Sequence, residues 1–533
     1  ARGTRRLGDR RPHPNHRTPE LRVDIPDPSR RIQMRPFLPA SPAAIRDGLR
    51  TPLLLLLVAG PLPGQSAVHP PAVTPSYEGM GPAVEYARAM LDAMRIERGV
   101  PGLSAAVGIG GRIVFAEGFG SADVENRAPV TAETKFRVGS VSKPLTAAAM
   151  ALLVERGQLD LDAPVQEYVP TFPRKRWPIT SRMVAGHLAG IRHYDGEEFL
   201  SREHYDTVTD GLAIFSGDSL LFEPGARFRY SSYGWNLLSA VVEGASGEEF
   251  LAFMDVEVFE PLGMMSTVAD QVDSIIPYRT RFYEVANDGR VYNSPYVDNS
   301  YKWAGGGFLS TPSDLVRFGM AHLDDSFLNS ETLTEFWTSQ RTADGEETDN
   351  GIGWFLGTTA DGTPAISHGG GSIGGVTYLL LLPEEGVVAA LTANTSQGVG
   401  LHRAAFLLAE AFRAPVSVAT APDPAVAAEW AGNWTCDAFH EDPEPLVRAE
   451  FGLVERSGRI GGLGVWEILV EEPPVQTEVT VAWSDPESGR LALVFVDDRG
   501  NPTRIELEGK GTEVTGTWSD EHRGDLTCRR AVR

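Results

Sequence analysis

Cysteine is almost absent: Cys436 and Cys528 are the only two in 533 residues. That excludes a disulfide-built miniature scaffold and leaves no Cys/His set with the spacing of a zinc site. Basic charge is also scarce. With 48 Lys plus Arg against 71 Asp plus Glu, the formal charge is -23, and most of the surface would repel a nucleic-acid backbone, so nucleic acid is disfavoured as a partner. No apolar run approaches the ~20 residues that span a bilayer, so no stable membrane span is expected. No solenoid-type repeat recurs either. What the chain does have is 42% hydrophobic and 22% charged residues, the balance of a globular protein able to build a large core.

The scarce basic charge is concentrated at one end. Residues 1–33 carry nine Arg and four acidic residues, mixed with prolines and without apolar period, and read as a disordered or upstream extension. From Met34, the basic residues Arg35, Arg46 and Arg50 precede the apolar run Leu53 to Ala59 and the small residues of 64–67. This resembles a secretory signal peptide over 34–66 and predicts an exported protein, periplasmic or extracellular. A proline-bearing linker covers 67–82.

Helical spacing starts at Ala83 and runs to Glu97, before Gly99 and Pro101. The runs LSAAVGIGG and RIVFAEGFG, joined through Gly110 and Gly111, predict a hairpin at the edge of a sheet. Further helices are expected over Val141 to Arg156, with Leu145, Ala149, Leu152 and Leu153 on one stripe, over Asn236 to Ala245, and over Pro312 to His322. Late strands follow at Val376 to Leu382 and Val387 to Ala393, then a helix at Leu401 to Phe412. These define one domain over 83–413. The Ala/Pro-rich string 414–424 is a linker. Beyond it, alternating runs at Val479 to Trp483, Leu491 to Val496, Thr503 to Leu507 and Glu513 to Trp518 predict a small antiparallel β-barrel over 425–533. Its closure would bring Cys436 and Cys528 together, either as a bridge or as two buried thiols.

Three short runs carry chemistry. In FRVGSVSKPLT, Ser140 and Lys143 are three residues apart at a helix start and share a face, so a lysine in a partly desolvated pocket can take the serine proton. Alone, this spacing is no more than a helix cap followed by a lysine. Tyr230, in GARFRYSSYGWNLL, stands before another helix, and ISHGGGSIGG sets His368 ahead of Gly369, Gly370 and Gly371, where glycine lets backbone N–H groups approach a substrate. His187, His193 and Asp195 lie close together but lack a metal-ligand spacing; loop-ordering hydrogen bonds are expected of them. Tyr301, Lys302 and Trp303 suit either a cleft wall or the core, and Gly305 to Gly307 a packing turn beside the site.

Taken in this order, the three runs resemble the S-x-x-K, Y-x-N and K-T-G or H-x-G signatures of the penicillin-recognising serine hydrolases, the branch of class C β-lactamases, D-peptidases and family VIII esterases. The strings ADVENRAPV, LAGIRHY, RTRFYEV and YVDNSYKWAGGGFLSTPSDL are similar to the LACTB-like group within it. The resemblance implies an α/β (α+β) β-lactamase/transpeptidase-like fold, an antiparallel sheet with a helical lobe. It makes Ser140 the acylated nucleophile, Lys143 its proton acceptor and Tyr230 the relay to the leaving group, with His368 in place of the third-motif lysine. The amides of Ser140 and Gly371 would form the oxyanion hole, and Ser232, Gly369 and Gly370 the substrate-binding positions. Ser232 and Gly369 depart from the Asn and Thr of the β-lactamase pattern, which removes polarity that binds β-lactams.

The implied function is a serine hydrolase that cleaves an amide or ester through an acyl-enzyme, peptidase-like, with a β-lactamase or promiscuous carboxylesterase as the neighbouring alternative. A non-catalytic scaffold or binding protein on the same fold is the alternative of another class. The expected partner is a small peptide, ester or β-lactam-like substrate. No cofactor or metal is implied, and the sequence sets no oligomeric state.

Overall fold

The computed structural model describes residues 80–413 apart from 287, 360 and 361, then Trp430 and the strands of a C-terminal unit between residues 432 and 530. The extension 1–33, the signal peptide read over 34–66, the first linker up to residue 79 and the second linker 414–424 lie outside the described residues.

Helix α1 (Gly81–Glu97) has proline in its first turn and buries Tyr86, Ala87, Met90, Leu91 and Met94, a stripe at helical spacing. Strands β1 (Gly102–Ile109) and β2 (Arg112–Asp123) form the expected hairpin. Gly110 and Gly111 both take positive φ at its turn, a pairing that matches the twist of the flanking strands. After the short β3 (Ala128–Pro129) come α2 (Ser142–Glu155), α3 (Ser232–Ser246) and α4 (Pro312–Ala321). Then follow β4 (Phe355–Thr358), β5 (Pro364–Ser372), β6 (Gly375–Leu382), β7 (Val387–Ala393) and α5 (Leu401–Arg413).

The seven strands make one antiparallel sheet in the order β3-β2-β1-β7-β6-β5-β4. Both its faces are covered, and the period of two decides which residue meets which layer. Leu103, Ala105 and Val107 of β1, with Ala389 and Leu391 of β7, pack toward α1 and α5. Ala106, Val388 and Ala390 pack toward α2 and α4. Helix α2 differs from its expected one-sided stripe. Every residue from Ser142 to Leu153 is buried, because α2 runs through the centre of the helical lobe with neighbours all round.

The C-terminal unit is a closed eight-stranded antiparallel barrel of β8 (Gly432–Phe439), β9 (Val447–Arg456), β10 (Arg459–Ile468), β11 (Val475–Asp485), β12 (Arg490–Val496), β13 (Pro502–Glu508), β14 (Glu513–Ser519) and β15 (Arg523–Arg530). Strand β8 pairs with β15 in a register that sets Cys436 opposite Cys528, and the two cysteines are disulfide-bonded. The barrel rests on α1 and α5. Val494 joins their apolar core, and the Arg504 guanidinium stands 4.7 Å from the Tyr86 ring centroid. Ser140 and α2 belong to the opposite side of the sheet.

Candidate active site

The short strand Phe136–Arg137 pairs with Phe308–Ser310 and leads through Val138 into a tight turn, Gly139–Val141, that feeds α2. Gly139 has φ +50°, and a Cβ there would stand 2.6–2.7 Å from the backbone of Gly371. Only glycine meets both demands. The turn presents Ser140 half-exposed at the surface of the pocket, while Lys143, one turn further on, is fully buried.

Lys143 Nζ lies 2.9 Å from Ser140 Oγ, 3.1 Å from Ser232 Oγ and 2.8 Å from the Gly305 carbonyl oxygen. Among the described residues no carboxylate accompanies it. Burial, with a smaller contribution from the charge of Lys302, holds this amine well below the usual lysine range. A neutral amine carries two hydrogens and one lone pair. The carbonyl can accept a hydrogen and nothing else, Ser232 can take the second, and the lone pair then faces Ser140 Oγ.

Tyr230 is delivered by the start of α3. Ser231 caps the helix, its Oγ accepting the Gly234 N–H at 3.1 Å and donating to the Arg192 carbonyl at 2.7 Å. Two imidazoles take the next free amides: Ser231 N–H donates to His187 Nδ1 at 3.2 Å and Ser232 N–H to His193 Nδ1 at 3.0 Å. Both acceptors must be unprotonated. Burial holds His187 well below its ordinary value and, with the nearby cations, lowers His193 to about 4. The His187 ring also lies 4.4 Å from the Tyr230 ring, and Lys143 Nζ is 4.8 Å from the same ring. Burial pushes the phenol up to about 12 against the hydrogen bonds of Ser140 and Ser232, so Tyr230 is a proton donor at neutral pH.

Strand β5 closes the pocket. A Cβ on Gly370 would come within 2.0 Å of the Val138 carbonyl oxygen and 3.3 Å of Ser140 N, so its backbone lies directly against the nucleophile turn. A Cβ on Gly371 would meet nothing within 4 Å, and that position is exposed. His368 is buried, its Nδ1 2.7 Å from the Gly369 carbonyl oxygen, its ring stacked 4.5 Å from Phe355, and its pKa lowered to about 3 by burial and by Lys143. It is an uncharged occupant of the place where the family signature can carry a lysine.

Ser140, Lys143, Tyr230 and Ser232 thus meet in one cluster, with Gly369 to Gly371 alongside. Ser232 is buried, with its hydroxyl on Lys143 Nζ. Tyr301, Lys302 and Trp303 are core residues. Two contributors lie in the stretch that the sequence marks only as a cleft wall or core and a packing turn beside the site. One is the Gly305 carbonyl, which anchors the amine. The other is the buried Lys302, with no hydrogen-bond partner among the described residues and its ammonium 4.1 Å from the Phe199 ring centroid; burial lowers it to about 7. Among the described residues, no group of three or more His, Cys, Asp or Glu is arranged to hold a metal ion.

Comparison with known proteins identifies the family and the fold. The beta-lactamase family profile matches residues 87–412. The chain is 32% identical over 458 residues to the mouse (Mus musculus) serine beta-lactamase-like protein LACTB, mitochondrial, covering 64% of this chain and 82% of that one; the human (Homo sapiens) protein of the same name is 33% identical over 438 residues, with coverages of 62% and 80%. Among solved structures, the D-amino acid amidase of Ochrobactrum anthropi SV3 superposes with a TM-score of 0.54 at 25% identity over 62% of this chain and 98% of that one. A penicillin-binding protein homologue from Pyrococcus abyssi, at 23% identity and TM-score 0.53, shares the fold over 83% of this chain and 99% of its own. These relatives correct one expectation. The N-terminal pattern pointed to export, to the periplasm or outside the cell, whereas the mammalian relatives are mitochondrial proteins, and a basic, proline-interrupted leader with a short apolar run does not by itself separate the two destinations. The motifs, their meeting in one pocket and the match over most of the hydrolase unit together assign the chain to the beta-lactamase family of serine hydrolases.

Proposed function

We propose that the chain hydrolyses an amide or ester bond, peptidase-like, through an acyl-enzyme on Ser140. The observation that carries this reading is the buried Lys143 amine, 2.9 Å from Ser140 Oγ and free of any carboxylate that would fix its charge. Its lone pair accepts the serine proton as Oγ attacks the carbonyl carbon. Tyr230, protonated at rest, donates to the leaving amine or alkoxide, and is restored as the Lys143 proton passes across the Ser232 hydroxyl, Ser140 Oγ being by then the ester oxygen of the acyl-enzyme. Negative charge on the carbonyl oxygen is met by the amides of Ser140, in the turn that feeds α2, and of Gly371 on β5. Water then attacks the acyl group, the same residues moving protons in reverse.

The likeness to a D-amino acid amidase favours amide substrates. Ser232 and Gly369, in place of an amide and a hydroxyl side chain, favour esters and peptides over β-lactams. The test is intact-mass measurement after incubation with short D- and L-peptides, p-nitrophenyl esters and nitrocefin. The expected result is an added acyl mass on the wild type, absent from Ser140→Ala, with peptide or ester turnover exceeding nitrocefin turnover. A Ser140→Ala protein that keeps its activity overturns the assignment; a protein that acylates with none of these points to the non-catalytic scaffold.

A further inference from the structure

We propose that Arg137 is a positioning residue for the oxyanion hole, gripping the β5–β6 turn through the Ile373 carbonyl and so holding the Gly371 amide in register with Ser140. The inference rests on the acyl-enzyme reading of the pocket and adds a residue outside the S-x-x-K, tyrosine and His-Gly signatures, although it stands in the same run as Ser140.

Arg137 lies three residues before Ser140, and its side chain is directed into the fold rather than toward water. Nε donates to Asp270 Oδ2 at 2.7 Å, and Nη1 donates to the Ile373 carbonyl oxygen at 2.7 Å. The guanidinium plane is backed by Phe282, 3.8 Å from its ring centroid. Asp270 is itself fixed: Asn299 Nδ2 donates to Oδ2 at 2.8 Å, and Arg279 Nη1 approaches Oδ1 at 3.4 Å. Both partners of the ion pair are buried.

The object they hold is the end of the β5–β6 hairpin, two residues beyond Gly371. The main chain of Arg137 touches the same hairpin. Thr377 Oγ1 donates to the Arg137 carbonyl at 3.3 Å, and a Cβ on Gly375 would stand 2.7 Å from Arg137 Cβ. One residue therefore contacts the turn through both backbone and side chain, and three residues later the same chain becomes the nucleophile. The second tether is on the far side, where Gly374 N–H donates to Ser396 Oγ at 2.6 Å. An oxyanion hole depends on two amides aimed at one point, here supplied by two separate segments, so a displacement of a few tenths of an ångström in either one weakens it. Arginine suits the post because its planar fork reaches a carboxylate and a carbonyl at a fixed angle, which a lysine ammonium does not reproduce.

The experiment compares p-nitrophenyl acetate with its thiono analogue, in which sulfur replaces the carbonyl oxygen and benefits far less from the two amides. In Arg137→Lys, kcat for the oxygen ester is expected to fall roughly 10- to 100-fold with KM within about twofold. The thionoester rate should change less than about threefold, so the oxygen-to-sulfur ratio falls. Retained thionoester turnover also reports an intact fold. The more conservative Asp270→Asn should lower the ratio in the same direction, and the double variant should be no worse than Arg137→Lys, because both act through one clamp. The acid limb of the pH profile should stay in place, since Lys143 is not the group disturbed. Equal loss on both substrates, an unchanged ratio in either single variant, or a shifted acid limb overturns the clamp while leaving the hydrolase reading intact. A wild type without Ser140-dependent turnover overturns that reading, and the clamp with it.

Discussion

Helices α2 and α3 start at the same pocket, and they are finished in opposite ways. No side chain caps α2, which starts at Ser142. Helix α3 is closed by the Ser231 hydroxyl and by two imidazoles that take the amides of Ser231 and Ser232. The Gly139–Val141 turn runs straight into α2, with the Val141 and Ser142 amides bonded back into it, so the donor end and the positive end of the helix dipole offered to a charge that develops during reaction lie at Ser140. A saturated start does the reverse. It spends its donors on holding Tyr230 in one orientation. The difference separates the part of the pocket that must respond to the substrate from the part that must stay still.

The largest effect is expected where the responsive side is broken. Lys143→Met keeps most of the buried volume and removes the lone pair, so kcat on a p-nitrophenyl ester should fall by about 10²- to 10⁴-fold, with a thermal midpoint no lower than wild type. Steady-state kinetics and thermal melts of one preparation check both halves. In the proposed mechanism Lys143 acts as a free amine, and its pKa is lowered, so kcat/KM should drop on the acid side as the amine becomes protonated and stay level through alkaline pH until Tyr230 ionises at about 12. A profile that rises toward acid would invert the roles given to the two groups.

Next come changes on the fixed side. His187→Leu strands the Ser231 N–H and should cost about 1–3 kcal/mol of stability and roughly 10- to 100-fold in kcat. His187 has φ +61°, a conformation that asparagine tolerates better than most residues, so His187→Asn should recover part of both. The buried and half-buried histidines also set an acid limit on folding. His193 and His322 are lowered to about 4 and His368 to about 3, whereas the unfolded chain binds those protons near 6.5. Between these values the unfolded state holds more protons, so stability should decline as pH falls through that window; denaturant midpoints at neutral and mildly acidic pH read it out. Ser231→Ala should cost about 1 kcal/mol, the value of an N-cap. The smallest effect is expected far from both starts. Arg504→Ala removes the cation from the Tyr86 ring at the barrel contact, should cost less than about 1 kcal/mol, and should leave kcat unaltered.

Much of this molecule is legible in the linear chain, for reasons that differ by region. Helices α1, α4 and α5 and strands β6 and β7 are marked by apolar period and by caps, such as Thr311 before α4, and lie within a residue or two of their expected ends. The start of α3 is harder to read. It lies four residues before the expected Asn236, because Ser232 to Trp235 are buried against neighbours and carry no stripe. Strand β10 was not anticipated at all: Gly461, Gly462 and Gly464 dilute its β-propensity, and pairing with its neighbours supplies what local preference lacks. In the pocket, Ser140, Lys143 and Tyr230 announce themselves by motif. The Gly305 carbonyl, Lys302 and the Arg137–Asp270 pair do not, because a backbone acceptor or a buried ion pair built across 133 positions has no local signature.

The closed barrel carries a last consequence. In an open sheet, the outermost strands expose rows of unpaired backbone groups that a stray strand can copy. Here β8 and β15 are spent on each other, and Cys436 and Cys528 pin that seam. The described strands leave no lip to lend. A second molecule that docks on their outer face meets side chains, so such an association is open to tuning by single substitutions in a way that strand-to-strand joining is not.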